Sequence, residues 1–323
     1  MSSIEKAYKK PYAVSVGLPI INETLAGKKV LIRGDVDVPL SPFDDTRLRA
    51  IKPTIDYLLG LNCEVILCGH LGRPNGVDPS LSTKPIQEYF PKIKVLENLR
   101  FDPREETNEE SLAKELAALA EVYVNEAFAA CERNHASIVG VPKYLPHFAG
   151  FRLAKEIEVL NNLLNNSARP MLAIIGGAKL ETKLPVISQM TQVADAVIVG
   201  GKLLQEFSGD VPRILSLSLT PDTKDVTFDS ISKIESHISN AKTIVWNGPM
   251  GFIENYTYQV GTRRIAELVA ASSAYKVVGG GDTIAFVSKL GLLDKFDWVS
   301  TGGGSMLKFL AGEKLPGIEA LTQ

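Results

Sequence analysis

The sequence predicts an α/β protein of two domains, each built on a mostly parallel sheet, joined by a connecting helix. Three observations carry that expectation. Short apolar runs alternate with segments of helical periodicity, the pattern of a parallel sheet covered by helices on both faces. The 323 residues exceed what one hydrophobic core usually serves. The predicted strand ends also change character at mid-chain, carrying arginine and histidine before residue 125 and runs of glycine past residue 170.

In the first half, residues 29–32 and 64–68 are short apolar runs, each followed by a turn and a helical pattern. Residues 46–59, with Leu48, Ile51, Ile55, Leu58 and Leu59 apolar, predict a helix with one buried face. Pro53 is placed near its first turns, where proline is tolerated better than in the middle. Residues 111–119 predict another helix and residues 122–124 another strand. Residues 151–167 carry Leu153, Ile157, Leu160 and Leu164 at helical spacing and end in Asn165-Asn166-Ser167, with Pro170 just beyond; this is the expected connector. Strands then follow at Met171–Ile175, Ala196–Val199, 243–246, 276–278 and Trp298–Ser300, each closing on glycine or on Asn247-Gly248-Pro249. The boundaries drawn are 1–150 for the first domain, 151–168 for the connecting helix and 169–311 for the second domain, with 312–323 as a tail.

With 45% hydrophobic and 22% charged residues, the composition is that of an ordinary soluble globular protein. Net charge is −2 and no run of like charge marks a nucleic-acid or membrane partner, so any cationic site is made locally by converging side chains. Cys63, Cys68 and Cys131 lack CxxC spacing and are expected as buried thiols in a reducing cytosol. The opening Met1-Ser2-Ser3-Ile4-Glu5-Lys6 has no apolar leader region, and no stretch is long enough to span a bilayer.

In open α/β sheets, ligands bind outside the carboxyl ends of the strands. First-half runs lead there into Arg33-Gly34-Asp35, His70-Leu71-Gly72-Arg73, Asn98-Leu99-Arg100 and Asn125-Glu126-Ala127-Phe128. Arg33, Arg47, His70, Arg73, Arg100 and Arg133 are candidates for one basic cluster, and guanidinium groups grip small anions bidentately. Asp35 and Asp37 lie among them, to orient a hydroxyl or to pair with the arginines, while His135 is read as a satisfied core histidine.

Second-half runs lead into Gly176-Gly177-Ala178-Lys179, Gly200-Gly201, Gly279-Gly280-Gly281-Asp282 and Gly302-Gly303-Gly304. A glycine turn feeding a helix lets backbone N–H groups approach a phosphate. Lys179 and Lys183 are expected on one face of a helix's first turns, where lysine opposes the macrodipole unless an anion is near. Two solvated surface lysines are the plainer alternative. Asp282 is expected to cap the helix that follows and is suited to Mg²⁺, which takes carboxylates together with phosphate oxygens. Neither GxxxxGK[ST] nor GxGxxG occurs, and no Ser/His/Asp arrangement suggests hydrolysis. One half suits a small anionic substrate and the other a nucleotide, which together suggest phosphoryl transfer.

The segments VLIRGDVDVPL, CGHLGRPNG, ENLRFDPREE, ERNHASIVGVP, GGAKLETK, TIVWNGPMG, VVGGGDT and VSTGGG, in that order, resemble the phosphoglycerate kinase family from about Lys28 to Leu321. The resemblance implies two Rossmann-like domains that close on each other in a cytoplasmic monomer, one taking 3-phosphoglycerate or 1,3-bisphosphoglycerate and the other MgADP or MgATP. It implies the tail 312–323 packing on the N-terminal domain. By motif, Arg33, Arg47, His70, Arg73, Arg100 and Arg133 would hold the glycerate, with Asp35 at its hydroxyl and Asp37 beside it. Arg47 and Lys179 would stabilise the transferring phosphoryl group, with Gly302 and Gly303 at the helix end facing it. The nucleotide would meet Gly177, Lys179, Lys183, Gly200, Gly201, Asn247, Pro249, Gly280, Gly281 and Thr283, with Glu254 at the ribose and Asp282 at the metal.

Several positions depart from the family pattern. Asp37 stands for an asparagine, Glu132 for a histidine of the basic patch and Lys202 for a third glycine. Only residues 90–94 separate Tyr89 from Val95, where an additional strand and helix are usual, and the stretch from Gly201 to Ser230 that helps wall the adenine is reduced. A binding relative that has lost catalysis is the alternative reading; the retained arginines and lysine pair favour an enzyme.

Overall fold

In a parallel sheet covered on both faces, strands have no solvent side, so they read as continuous apolar runs. The computed structural model, which describes residues 17–205 and 212–323, bears this out. The opening residues 1–6 and residues 206–211 of the reduced stretch lie outside the described residues. Contacts divide the chain into two units, one holding the described residues up to Glu158 together with Lys314–Gln323, the other Val159–Glu313.

The first unit has strands β1 (Lys29–Arg33), β2 (Glu64–Cys68), β3 (Lys94–Val95), β4 (Val122–Asn125) and β5 (His147–Ala149) in the order β3-β2-β1-β4-β5. Every pairing is parallel, and Arg33 is level with Cys68 on one side and Asn125 on the other. Helix α1 (Thr46–Gly60) buries Leu48, Ile51, Ile55 and Leu58 against the sheet core. Pro53 lies in its interior rather than in its first turns. Helices α2 (Lys84–Tyr89) and α3 (Glu110–Ala117) complete this half.

Helix α4 (Phe151–Asn165) carries the chain out, and the division between units falls within it, after Glu158. The second unit orders its strands β11-β10-β9-β6-β7-β8, again all parallel. These are β6 (Met171–Ile175), β7 (Ala196–Val199), β8 (Ile214–Ser216), β9 (Thr243–Asn247), β10 (Tyr275–Gly279) and β11 (Trp298–Ser300). Helices α5 (Leu180–Val193), α6 (Phe228–Asn240), α7 (Val260–Ala271), α8 (Gly281–Lys289) and α9 (Gly303–Leu310) follow the strands. Trp246, Ile244 and Ile198 centre a core separate from that of the first unit.

The short helix α10 (Pro316–Glu319) in the tail belongs to the first unit, where the Gly317 N–H donates to the Cys131 carbonyl at 2.9 Å. All three cysteines are buried and unpaired, and burial pushes the thiols of Cys68 and Cys131 up to about 12. Among the described residues no helix is long and apolar enough to cross a membrane.

Candidate functional site

Strand order dictates where each unit can hold a ligand. The chain steps from β1 to β2 and β3 on one side and then crosses back past β1 to β4 on the other, so a crevice opens beyond the ends of β1 and β4. In the second unit the same reversal falls between β6 and β9.

The first crevice gathers the predicted cations. Arg33, at the end of β1, is fully buried. Its Nε donates to Ser137 Oγ at 2.9 Å, its Nη1 to the Gly34 carbonyl at 2.5 Å and its Nη2 to His70 Nδ1 at 2.8 Å. Arg33, expected among the residues that hold the substrate, thus has three of its five N–H donors engaged and lies deeper than Arg73 and Arg133. His70 is 7% exposed, and its pKa is pushed far below the ordinary value, first by burial and then by Arg33, Arg100, Arg133 and His135. Burial followed by the Arg133 charge also lowers Arg100, whose Nη1 donates to the Gly72 carbonyl at 2.5 Å and whose Nε lies 3.0 Å from Glu106. Arg47, from the first turn of α1, donates to Asp35 Oδ1 at 2.8 Å. Asp37 Oδ1 accepts the Gly72 N–H at 2.8 Å, and its other oxygen is 3.9 Å from His70 Nε2. Arg73 is exposed and Arg133 half-buried.

Four buried polar atoms here, Asp35 Oδ2, Arg100 Nε, Arg100 Nη2 and His135 Nδ1, have no hydrogen-bond partner among the described residues. Arg100 Nε and His135 Nδ1 lie beside the Glu106 and Glu105 carboxylates, which leaves Asp35 Oδ2 and Arg100 Nη2 as the orphans facing the crevice's charges. Buried polar groups are nearly always paired, so orphans of opposite character beside a cationic cluster have the chemistry to take a polar anion.

Glu105 and Ser137 belong to this site and were not singled out from the sequence. Glu105 is wholly buried and accepts Ser137 Oγ–H at 2.6 Å and Ser137 N–H at 2.9 Å. Burial acts to raise its pKa, but the His135 ring, the Arg33 charge and the Ser137 donors outweigh it and hold the group below its ordinary range. His135 is buried as expected but not satisfied: its Nδ1, 3.6 Å from Glu105, has no hydrogen-bond partner among the described residues. Glu105 lies inside the segment ENLRFDPREE and Ser137 inside ERNHASIVGVP, but nothing in the spelling sets them apart from their neighbours.

At the second crevice the backbone itself makes the floor. Gly176 N–H donates to the Asn247 carbonyl at 3.0 Å and Gly177 N–H to the Pro249 carbonyl at 2.9 Å. Gly248, at φ +100°, lies so close to Gly176 that an added Cβ would come 2.0 Å from its carbonyl oxygen. The Thr283 hydroxyl, fully buried, accepts the Gly248 N–H at 2.9 Å. Gly200 is buried beside Met250, and Gly201 approaches Gly177 and Pro249.

Lys179 precedes α5 as its N-cap in extended conformation and is exposed, whereas Lys183 is 8% exposed inside the helix. The expected shared face is therefore corrected: the helix starts at Leu180, and the two lysines present themselves differently. Lys183 Nζ makes a short hydrogen bond to Asn247 Oδ1, and burial lowers its pKa to about 8, against the pull of Asp282. Asp282 does not cap α8; Gly280 is the N-cap, with Gly281 and Asp282 in the first turn. Gly302 is the N-cap of α9 and Gly303 its first residue.

A cavity of about 480 Å³ extends from this floor, lined by Gly177, Gly201, Pro249, Glu254 and Asp282 among the expected residues. It is closed further by Lys202, Lys224 and Phe252. Lys224 and Phe252 went unnoticed in the sequence, although Pro221-Asp222 just ahead of Lys224 is turn chemistry.

Doubly wound sheets that set guanidinium groups at one switch point and a glycine floor with a buried lysine at the other define a nucleotide-dependent phosphotransferase of small anions. Comparison with known proteins narrows that class. The family model for phosphoglycerate kinase matches residues 20–94, 90–210 and 216–313. The phosphoglycerate kinase of Moorella thermoacetica is 37% identical over 93% of this chain and 97% of its own. The solved phosphoglycerate kinase of Coxiella burnetii superposes with a TM-score of 0.80 at 30% identity, covering 97% of this chain and 99% of that one. That of Pyrococcus horikoshii gives 0.79 at 26% identity, over 92% and 96%. The chain belongs to the phosphoglycerate kinase family.

Proposed function

We propose that the chain transfers a phosphoryl group reversibly between 1,3-bisphosphoglycerate and ADP, giving 3-phosphoglycerate and ATP. The observation that carries this reading is the pair of buried orphans, Asp35 Oδ2 and Arg100 Nη2, within a cationic crevice. An anion bearing a hydroxyl supplies what each lacks: an O–H for the carboxylate and oxygens for the guanidinium.

In this reading Arg47, Arg73, Arg100, Arg133 and His70 hold the glycerate, and Asp35 takes its hydroxyl. Arginine keeps its charge at any working pH, so the grip needs no tuned protonation. The ADP oxygen attacks the acyl phosphate in line, with Arg47 and Lys179 stabilising the transferring group and the α9 N-terminus at Gly302 and Gly303 supplying N–H groups. Lys183 and the turns at Gly177, Gly201 and Gly280 hold the nucleotide phosphates, while Glu254 serves the ribose. The exposed Asp282 carboxylate at the cavity fits Mg²⁺, an ion usually held by one or two carboxylates beside phosphate oxygens. When bound, that ion neutralises phosphate charge. Excluding water would protect the acyl phosphate from hydrolysis. Three buried, unpaired thiols go with a reducing cytosol.

A steady-state assay of the purified protein with 1,3-bisphosphoglycerate and a panel of nucleoside diphosphates tests the reading. Expected is nucleoside triphosphate formation at enzymatic rates. Nucleotide binding without turnover would instead mark a binding relative.

A further inference from the structure

The hydrogen bonds behind the first crevice fix more than position. A guanidinium carries only donors, so His70 Nδ1, 2.8 Å from Arg33 Nη2, must be an acceptor. Its proton therefore sits on Nε2, on the side of Asp37. Arg33 is oriented in turn. Its Nε–H occupies a lone pair of the Ser137 hydroxyl, whose single proton is left for Glu105 Oε1 at 2.6 Å. The Ser137 N–H holds the other Glu105 oxygen at 2.9 Å. Arg33, Ser137 and Glu105 are each 0% exposed, so water cannot exchange for any partner.

We infer that Glu105, Ser137 and Arg33 form a buried relay that sets His70 as a neutral Nε2–H donor, offering the anionic substrate a fixed hydrogen bond rather than one more charge. The substrate half of this inference rests on the kinase reading; the tautomer does not. The groups facing the ring are Arg33 from β1, Arg100 after β3, Arg133 and His135 after β4, and Asp37 after β1. Four of the five are cationic or can become so, which keeps the imidazole uncharged. Arg33 and Glu105 are thus positioning residues, and the loss of either acts through His70.

Long-range ¹H–¹⁵N spectra of the full-length labelled protein read the tautomers of its four histidines, with His70 assigned by substitution. The expected result is an Nε2–H ring that does not titrate between about pH 5 and 8. Ser137→Ala, which deletes one oxygen, is expected to mix the tautomers and to raise KM for 3-phosphoglycerate roughly ten-fold with kcat little changed. Glu105→Gln should move both readouts in the same direction. An Nδ1–H or charged ring in the unmodified protein overturns the inference, whether or not the variants fold. So does a Ser137→Ala protein that keeps both its tautomer and its KM, and mixing of tautomers without a change in KM removes the link to substrate. The expected tautomer in a protein that turns over no 3-phosphoglycerate would leave the relay standing and sink the functional reading.

Discussion

Lys183 is a buried ammonium that hydrogen-bonds a neutral amide oxygen, and burial brings its pKa to about 8. A phosphate at the cradle restores the charged form, so above pH 8 binding must take up a proton. ADP affinity is accordingly expected to fall as pH rises from 7 to 9, by up to about ten-fold per pH unit above 8. Calorimetry across that range checks it, and Lys183→Met should bind more weakly but with a flat profile. Lys179, exposed at the N-cap, is the lysine proposed to serve the transferring group. Lys179→Ala is expected to lower turnover by roughly 10³ or more, by analogy with lost arginine fingers, and near-unmodified turnover in a coupled ATP-forming assay would refute the role. Asp37→Asn keeps an oxygen for the Gly72 N–H but removes a negative charge near the anion. Tighter 3-phosphoglycerate binding is expected, and unchanged affinity would show the charge argument wrong. At this scale the sequence reveals which residues carry charge but not which are spent. Arg33 reads as a ligand like its neighbours because Ser137 and His70, which engage two of its nitrogens, come from separate parts of the chain.

Among the elements, α4 has an unusual cap. Glu126, just past β4, accepts the Arg152 N–H at 3.2 Å and the Leu153 N–H at 2.8 Å, and makes a short hydrogen bond with the Thr54 hydroxyl. Its own N–H donates to the Arg33 carbonyl at 2.9 Å, so the crevice floor and the start of the connecting helix share one residue. Burial raises the carboxyl to about 7 from 4.5, against the pull of those donors. The folded state then holds a proton the unfolded chain has released, so stability should fall by about 3 kcal/mol as pH rises from 4.5 to 7. Urea unfolding midpoints across that window measure the slope, and Glu126→Gln should flatten it. Legibility at this scale follows the turn that ends a run more than its length. Met171–Ile175, Ala196–Val199 and the three-residue Trp298–Ser300 were readable because an apolar run led into glycine, whereas β5 and β8 span three residues and show no period. The lysine spacing misled because α5 begins one residue beyond Lys179, a boundary that no capping residue announces.

Across the whole molecule, the two-domain α/β plan was legible because it follows from alternation and length, while the tail's seat was implied only by family resemblance. Leu315 and Leu321 of that tail are 2% and 1% exposed. Deleting residues 314–323 removes both, and at about 1.5–3 kcal/mol per buried leucine the first unit should lose roughly 3 kcal/mol or more. Scanning calorimetry should show that unit's transition moving down while the transition of the other stays in place.

The close abutment of Gly176 and Gly248 has a further consequence, for how such a protein can diversify. Because main chain there touches main chain, any side chain at either position would prise apart two strand tips at once, so neither position is free to vary. Altered taste for one nucleobase over another must therefore be acquired at the rim, through positions such as Lys224 and Phe252, and a saturation library would find its viable members there.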